Sequence, residues 1–149
     1  MTLEILASLF DRELNKLKHE IELYQNAKRV WVIEKNISNS AGNLALHLVG
    51  NLNHFIGKEL GGTDYIRNRE LEFTQKDLLQ GELVKRIENT RLVVNETLSK
   101  LKEIELENEY PLKVFEKEMT IGYFLIHLLA HLTYHLGQIN YHRRLVGMS

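Results

Sequence analysis

Apolar residues recur every three or four positions in four stretches of the chain, the spacing of helices with one buried face. The first runs from Thr2 to about Lys28, where Leu3, Leu6, Phe10, Leu14, Leu17 and Ile21 alternate with Glu, Lys and Arg. The second begins at the cap pair Asn39-Ser40 and runs to Leu60. Gly61-Gly62 then follows, the residue type that closes helices in the left-handed conformation. The third follows Thr74, whose "TQKD" is a weak relative of the capping box; it carries Leu78, Leu79, Leu83, Ile87, Val94 and Leu98 and fades near Lys102. The fourth follows Thr120 and runs to about Val146.

The intervals between these stretches matter as much as the stretches. "GGTDYIRNRELEF" between the second and third is longer than an ordinary turn in a bundle. "IELENEYPLKVFEKEM" between the third and fourth has room for a short extended piece. Proline occurs once, at Pro111, so little interrupts helical structure. Four long helices with one or two long connections predict an all-α four-helix bundle with at least one crossover, some neighbours running parallel. The 149 residues suit one domain spanning 1–149, with a core that needs no staples.

Composition narrows the function more than the fold. The formal net charge is −1 and the only basic pair late in the chain is Arg143-Arg144, so nothing in the sequence calls for nucleic acid. No stretch approaches eighteen apolar residues, and the first twenty lack the pattern of a signal peptide, so the chain is expected to be soluble and cytoplasmic. Cysteine is absent, which removes disulfides, cysteine-rich zinc sites and a cysteine nucleophile. There is no "GxSxG", phosphate loop or dinucleotide fingerprint to support a hydrolase, kinase or dehydrogenase.

What remains is histidine. "HLLAHLTYH" sets His127, His131 and His135 four apart, and His142 follows. At about 100° per residue these four fall on one narrow helix face. Two imidazoles at that spacing can converge on one ion, whereas HExxH, with its general base, is not present. A third ligand is offered by the second helix, where "GNLALHLVGNLNHF" sets His47 among leucines, with Asn43, Asn51 and His54 on the same side. Gln138, three residues after His135, is placed either to hold a ligand from behind or to face solvent. His142, beside two arginines, is expected at an exposed helix end, and Tyr134 and Tyr141 are expected to pack. The histidine stripe also has a bland reading as a buried polar network.

With "LALHLVGNLNHF" on the second helix, "HLLAHLTYHLGQINYHRR" on the fourth and "RNRELEF" between, the whole chain resembles the DinB-like superfamily, in an uncharacterised branch. The resemblance implies an up-down-down-up four-helix bundle, commonly dimeric, with the long crossover between helices two and three. It implies a divalent-metal site of His47, His131 and His135, the last preceding "xGQ"; a register one turn off would substitute His127 and His131 for the pair. Zinc or nickel suits imidazole ligands.

The resemblance further implies a metal-dependent transferase that uses a low-molecular-weight thiol on a small electrophile. Arg67 and Arg69 would then pair with carboxylates, unless they only pair with Glu70 or Glu72. Asn51, His54, His127 and Gln138 would contact the site from behind or touch the substrate. The rival expectation is a dimeric helical stress or interaction protein with a structural or vestigial histidine site. A third is an enzyme using the histidines as acid and base without metal.

Overall fold

The computed structural model describes residues 1–148. Four long elements build the bundle: α1 (Thr2–Glu22), α2 (Ala41–Leu52), α4 (Gln80–Lys100) and α5 (Ile121–Val146), with a short α3 (Arg69–Thr74) in the crossover. The apolar positions Leu6, Phe10, Leu14, Leu17 and Ile21 of α1 are buried, as their spacing requires. Each fully buried leucine or isoleucine contributes roughly 1.5–3 kcal/mol before the entropy of ordering the chain. Leu48 and Leu52 of α2, Ile87 and Val94 of α4, and Phe124, Leu132 and Ile139 of α5 join the same core.

Side-chain contacts fix the helix directions. Asp11 meets Arg91 and Asn95 while Lys18 meets Glu88, so α1 and α4 are antiparallel. Glu20, late in α1, holds Asn140 and Arg143, late in α5, so these two run parallel. His47 faces His131 and Phe55 faces Phe124, which makes α2 antiparallel to α5. Asn53 bonds Thr90, and further along the same turns a Cβ at Gly57 would lie 2.8 Å from Val93 Cγ1 and one at Gly61 2.5 Å from Thr97 Oγ1. Contacts that advance together in this way make α2 and its extension parallel to α4. The order is therefore up-down-down-up, and the glycines are where the parallel pair closes.

Several boundaries differ from the sequence expectation, each for a local reason. α1 stops at Glu22 rather than near Lys28, because Asn26 caps a separate 3-10 turn over Ala27–Trp31 by accepting the Lys28 N–H. The second helix ends at Lys58, two residues short of Leu60, and changes character on the way: α2 continues as a π-helical turn, Asn53–Lys58. Ser40 caps α2 and Thr120 caps α5, as expected. The "TQKD" box does not form. Thr74 ends α3, Asp77 has a φ of 60°, and α4 begins only at Gln80. The long connection before α5 holds a 3-10 turn, Glu103–Glu107, and one antiparallel bridge between Glu109 and Thr120.

His142 is buried, not exposed, and the reason is a second polar contact between distant segments. Its Nε2 lies 2.8 Å from Val32 O, and its Nδ1 2.6 Å from Tyr24 Oη. The carbonyl can only accept, so Nε2 carries the proton and Nδ1 accepts from the tyrosine. Burial lowers the pKa of His142 from 6.5, against the hydrogen bond to Val32. A histidine whose folded pKa is depressed contributes stability above its unfolded pKa, and that stability is lost as pH falls. The thermal midpoint of the wild type is therefore expected to fall below about pH 6.5. His142→Gln, which keeps a donor and an acceptor, should flatten that slope. His142→Ala, which orphans two buried groups, should cost about 2–5 kcal/mol at neutral pH, measured by denaturant unfolding.

Candidate metal centre

His47 stands on α2 and His131 and His135 stand one turn apart on α5; the antiparallel crossing of these helices brings the three imidazoles together. His131 Nε2 lies 3.2 Å from His47 Nε2 and 3.1 Å from His135 Nε2. One nitrogen from each of the three lies within 4.8 Å of the others. Two nitrogens bound to one tetrahedral zinc at about 2.0–2.1 Å would be about 3.3 Å apart. The donor set therefore fits a divalent ion.

The tautomers favour the same geometry. His47 Nδ1 is 3.0 Å from Glu72 Oε1, and His135 Nδ1 is 2.7 Å from Gln138 Oε1. Both partners accept, so both Nδ1 atoms carry protons and both Nε2 lone pairs face the cluster. His131 Nε2 sits between two such acceptors and can donate to only one. Burial, with the neighbouring imidazoles of His135, His47 and His127, pushes His131 down to about 4. Burial also lowers His135, opposed by the Gln138 hydrogen bond. Neutral imidazoles are the form that ligates.

Glu72 is the partner of the histidine cluster that spacing alone misses. It lies on α3, 6% exposed, with Arg67 Nε 2.8 Å from Oε2 and Arg67 Nη2 3.0 Å from Oε1. Burial pushes its pKa up, but the hydrogen bonds from His47 and Arg67 outweigh this and the carboxyl lies below its usual value. Room for it comes from Gly50, where any Cβ would overlap the Glu72 carboxylate. Asn43, one turn before His47, donates to Glu72 O and Gln75 O and ties the crossover to α2. A glycine inside an otherwise apolar helix, three residues after a candidate ligand, is the sequence signal that marks this approach.

The other candidates fall into three groups. Gln138 orients His135, and Arg67 is engaged by Glu72 while stacking 5.7 Å over Phe55. His127 is outside the cluster of three, packed between Phe115 and Phe124. Arg69 is exposed, 5.6 Å over Phe73. Asn51 lies one turn after His47 on α2, and His54 lies on the π turn that follows. Asn51 Oδ1, His54 Nδ1 and His131 Nδ1 are buried without a hydrogen-bond partner.

This all-helical chain, with its histidine cluster between α2 and α5, has been compared with known proteins. A search of the curated proteins gives no match. The family model described as "Protein of unknown function (DUF1572)" matches residues 3–148. That span takes in every residue of the cluster and all of the five helices but Thr2, and the chain belongs to this DinB-like family.

Proposed function

We propose that the chain is a divalent-metal protein whose His47–His131–His135 centre serves transfer of a small thiol to a small electrophile. The observation that carries this reading is the convergence of three Nε2 atoms, two of them with lone pairs fixed inward by Glu72 and Gln138. Zinc or nickel is the ion best matched to three imidazoles. Once bound, such an ion supplies an open coordination position at which a thiol ionises near neutral pH. The protein has no cysteine, so the sulfur belongs to a low-molecular-weight thiol.

The chain's own residues then divide the work. His47, His131 and His135 hold the ion. Glu72 and Gln138 keep the rings of His47 and His135 in the ligating tautomer, and Arg67 compensates the buried charge of Glu72. Arg69, which forms no ion pair among the described residues, is the guanidinium free to meet a carboxylate of the thiol or substrate. The absence of cysteine and of any helix long and apolar enough to cross a membrane, among the described residues, supports a cytoplasmic location. The test is consumption of a thiol by a small electrophile such as an activated alkene. Activity should vanish with a chelator and return with zinc or nickel; activity that survives chelation would favour acid–base chemistry by the histidines and refute this reading.

One observation favours an interaction role alongside the site. Tyr123, Ile126, Tyr134, Tyr141 and Leu145 are 54–71% exposed on α5. At about 100° per residue they fall within an arc of about 100°, and Ala130 and Gly137 lie between them. An apolar stripe along a 26-residue helix, broken in the same arc by exposed Arg144 near its C-terminal end, is a surface that proteins rarely leave uncovered. We assign it to a second copy of the chain, giving a homodimer; the stripe is also what the stress or interaction reading would require. Sedimentation should give twice 17.4 kDa for the wild type and a monomer for the Tyr134→Glu, Tyr141→Glu pair. A monomeric wild type would remove the dimer.

A further inference from the structure

A sizeable cavity lies not over the three Nε2 atoms but beside them, with His135 in its wall. It measures about 550 Å³, between the loop of Glu34–Asn39 and the second half of α5. Volumes of about 300–1,000 Å³ are those of small-molecule sites. Leu44 and Val146 supply apolar walls, Tyr141 and Leu145 of the exposed stripe form the apolar mouth, and His135 and Gln138 form the wall shared with the candidate metal centre. Its base is rigid, because His142, another wall residue, is held by Tyr24 and Val32.

The charge of the cavity is one-sided. Its two charged lining residues are Glu34 and Lys35. Glu34 is neutralised by Arg29 at 3.2 Å. Lys35 has no ion pair among the described residues. It also sits at a φ of 57°, a left-handed conformation that non-glycine residues adopt only where the surroundings hold them. A mostly apolar cleft with one uncompensated ammonium at its rim, Asn36, Ser38 and Asn39 beside that ammonium and an imidazole in the opposite wall suits an apolar body carrying an anionic group.

We propose that this cavity binds small organic anions with an apolar body, aromatic or branched aliphatic, with the anion on Lys35 and the body against Leu44 and Leu145. In the thiol-transfer reading, on which this last step rests, such a molecule is the electrophile. Its body lies in the cavity and its reacting carbon beside His135. Gln138 touches both the cavity and His135 Nδ1, so an occupant contacts the residue that orients a ligand.

The cavity can be tested without metal or turnover. The fluorescent anion anilinonaphthalene sulfonate and its uncharged analogue phenylnaphthylamine are titrated into metal-free protein. The wild type is expected to bind both saturably, one per chain. Lys35→Glu, a change at an exposed residue, should weaken the sulfonate about tenfold and leave the neutral probe unchanged. Leu145→Asp should weaken both. Ile126→Asp, on the same exposed stripe of α5 but outside the cavity, should weaken neither.

The proposal is overturned if binding is not saturable, if Lys35→Glu leaves the sulfonate unaffected, or if Ile126→Asp weakens the probes as much as Leu145→Asp does. The same titration in His131→Ala, whose changed residue does not line the cavity, separates the two ideas. Probes that bind this variant as they bind the wild type sustain the cavity, whatever becomes of the metal reading.

Discussion

A carboxylate buried to 6% exposure is a costly thing to place inside a helical bundle, and the arrangement around Glu72 is what makes it tolerable. Arg67 grips it with two nitrogens, His47 donates to it, and Gly50 leaves the space it occupies. Removing either charged partner would strand the other in low dielectric, so the three behave as a unit. Two of its members, Arg67 and Glu72, belong to the crossover, and His47 belongs to α2. The long connection is therefore not a loose strap. It is bonded to the helix it leaves, and the bond runs through the ring of His47, which faces His131 and His135.

That constraint links the fold to the chemistry. A parallel α2 and α4 need a long connection, and an antiparallel α2 and α5 set His47 against His131 and His135. The crossover satisfies the first need while its acid fixes the proton of His47 on Nδ1. On α5 the same duty falls to Gln138 for His135. His131 alone lacks such a partner, and its Nδ1 is buried opposite a helix on which Asn51 Oδ1 is also unpaired. Among the described residues, two of the three buried side-chain atoms left unpaired thus lie on the helices that carry the histidines, His131 Nδ1 on α5 and Asn51 Oδ1 one turn after His47 on α2, and the third, His54 Nδ1, lies on the π turn that follows.

Much of this was legible in the chain. Periodicity marks α1, α4 and α5 because each buries one apolar face, and the caps at Ser40 and Thr120 stand where hydroxyl residues precede the apolar runs. The histidine spacing on α5 is legible for the same reason. What failed was local competition and long-range pairing. Asn26 takes a backbone N–H that would have extended α1, and Asp77 turns left-handed where a capping box was expected. His142 reads as exposed beside Arg143 and Arg144, yet Tyr24 and Val32, more than a hundred residues away, draw it inward. Tyr134 and Tyr141 read as packing residues, yet they are exposed, 65% and 61%. Glu72 was visible as an arginine partner, but its bond to His47 depends on a three-dimensional approach that only Gly50 announces.

The central claim is that the three imidazoles form a metal-binding site, not merely a buried polar network. Metal content by mass spectrometry, on untagged protein purified without added metal and then titrated with zinc, tests it most directly. The account predicts about one tightly bound ion per chain, lost in folded His131→Ala. A wild type that takes up no metal, or a His131→Ala variant that keeps a full equivalent, would contradict it.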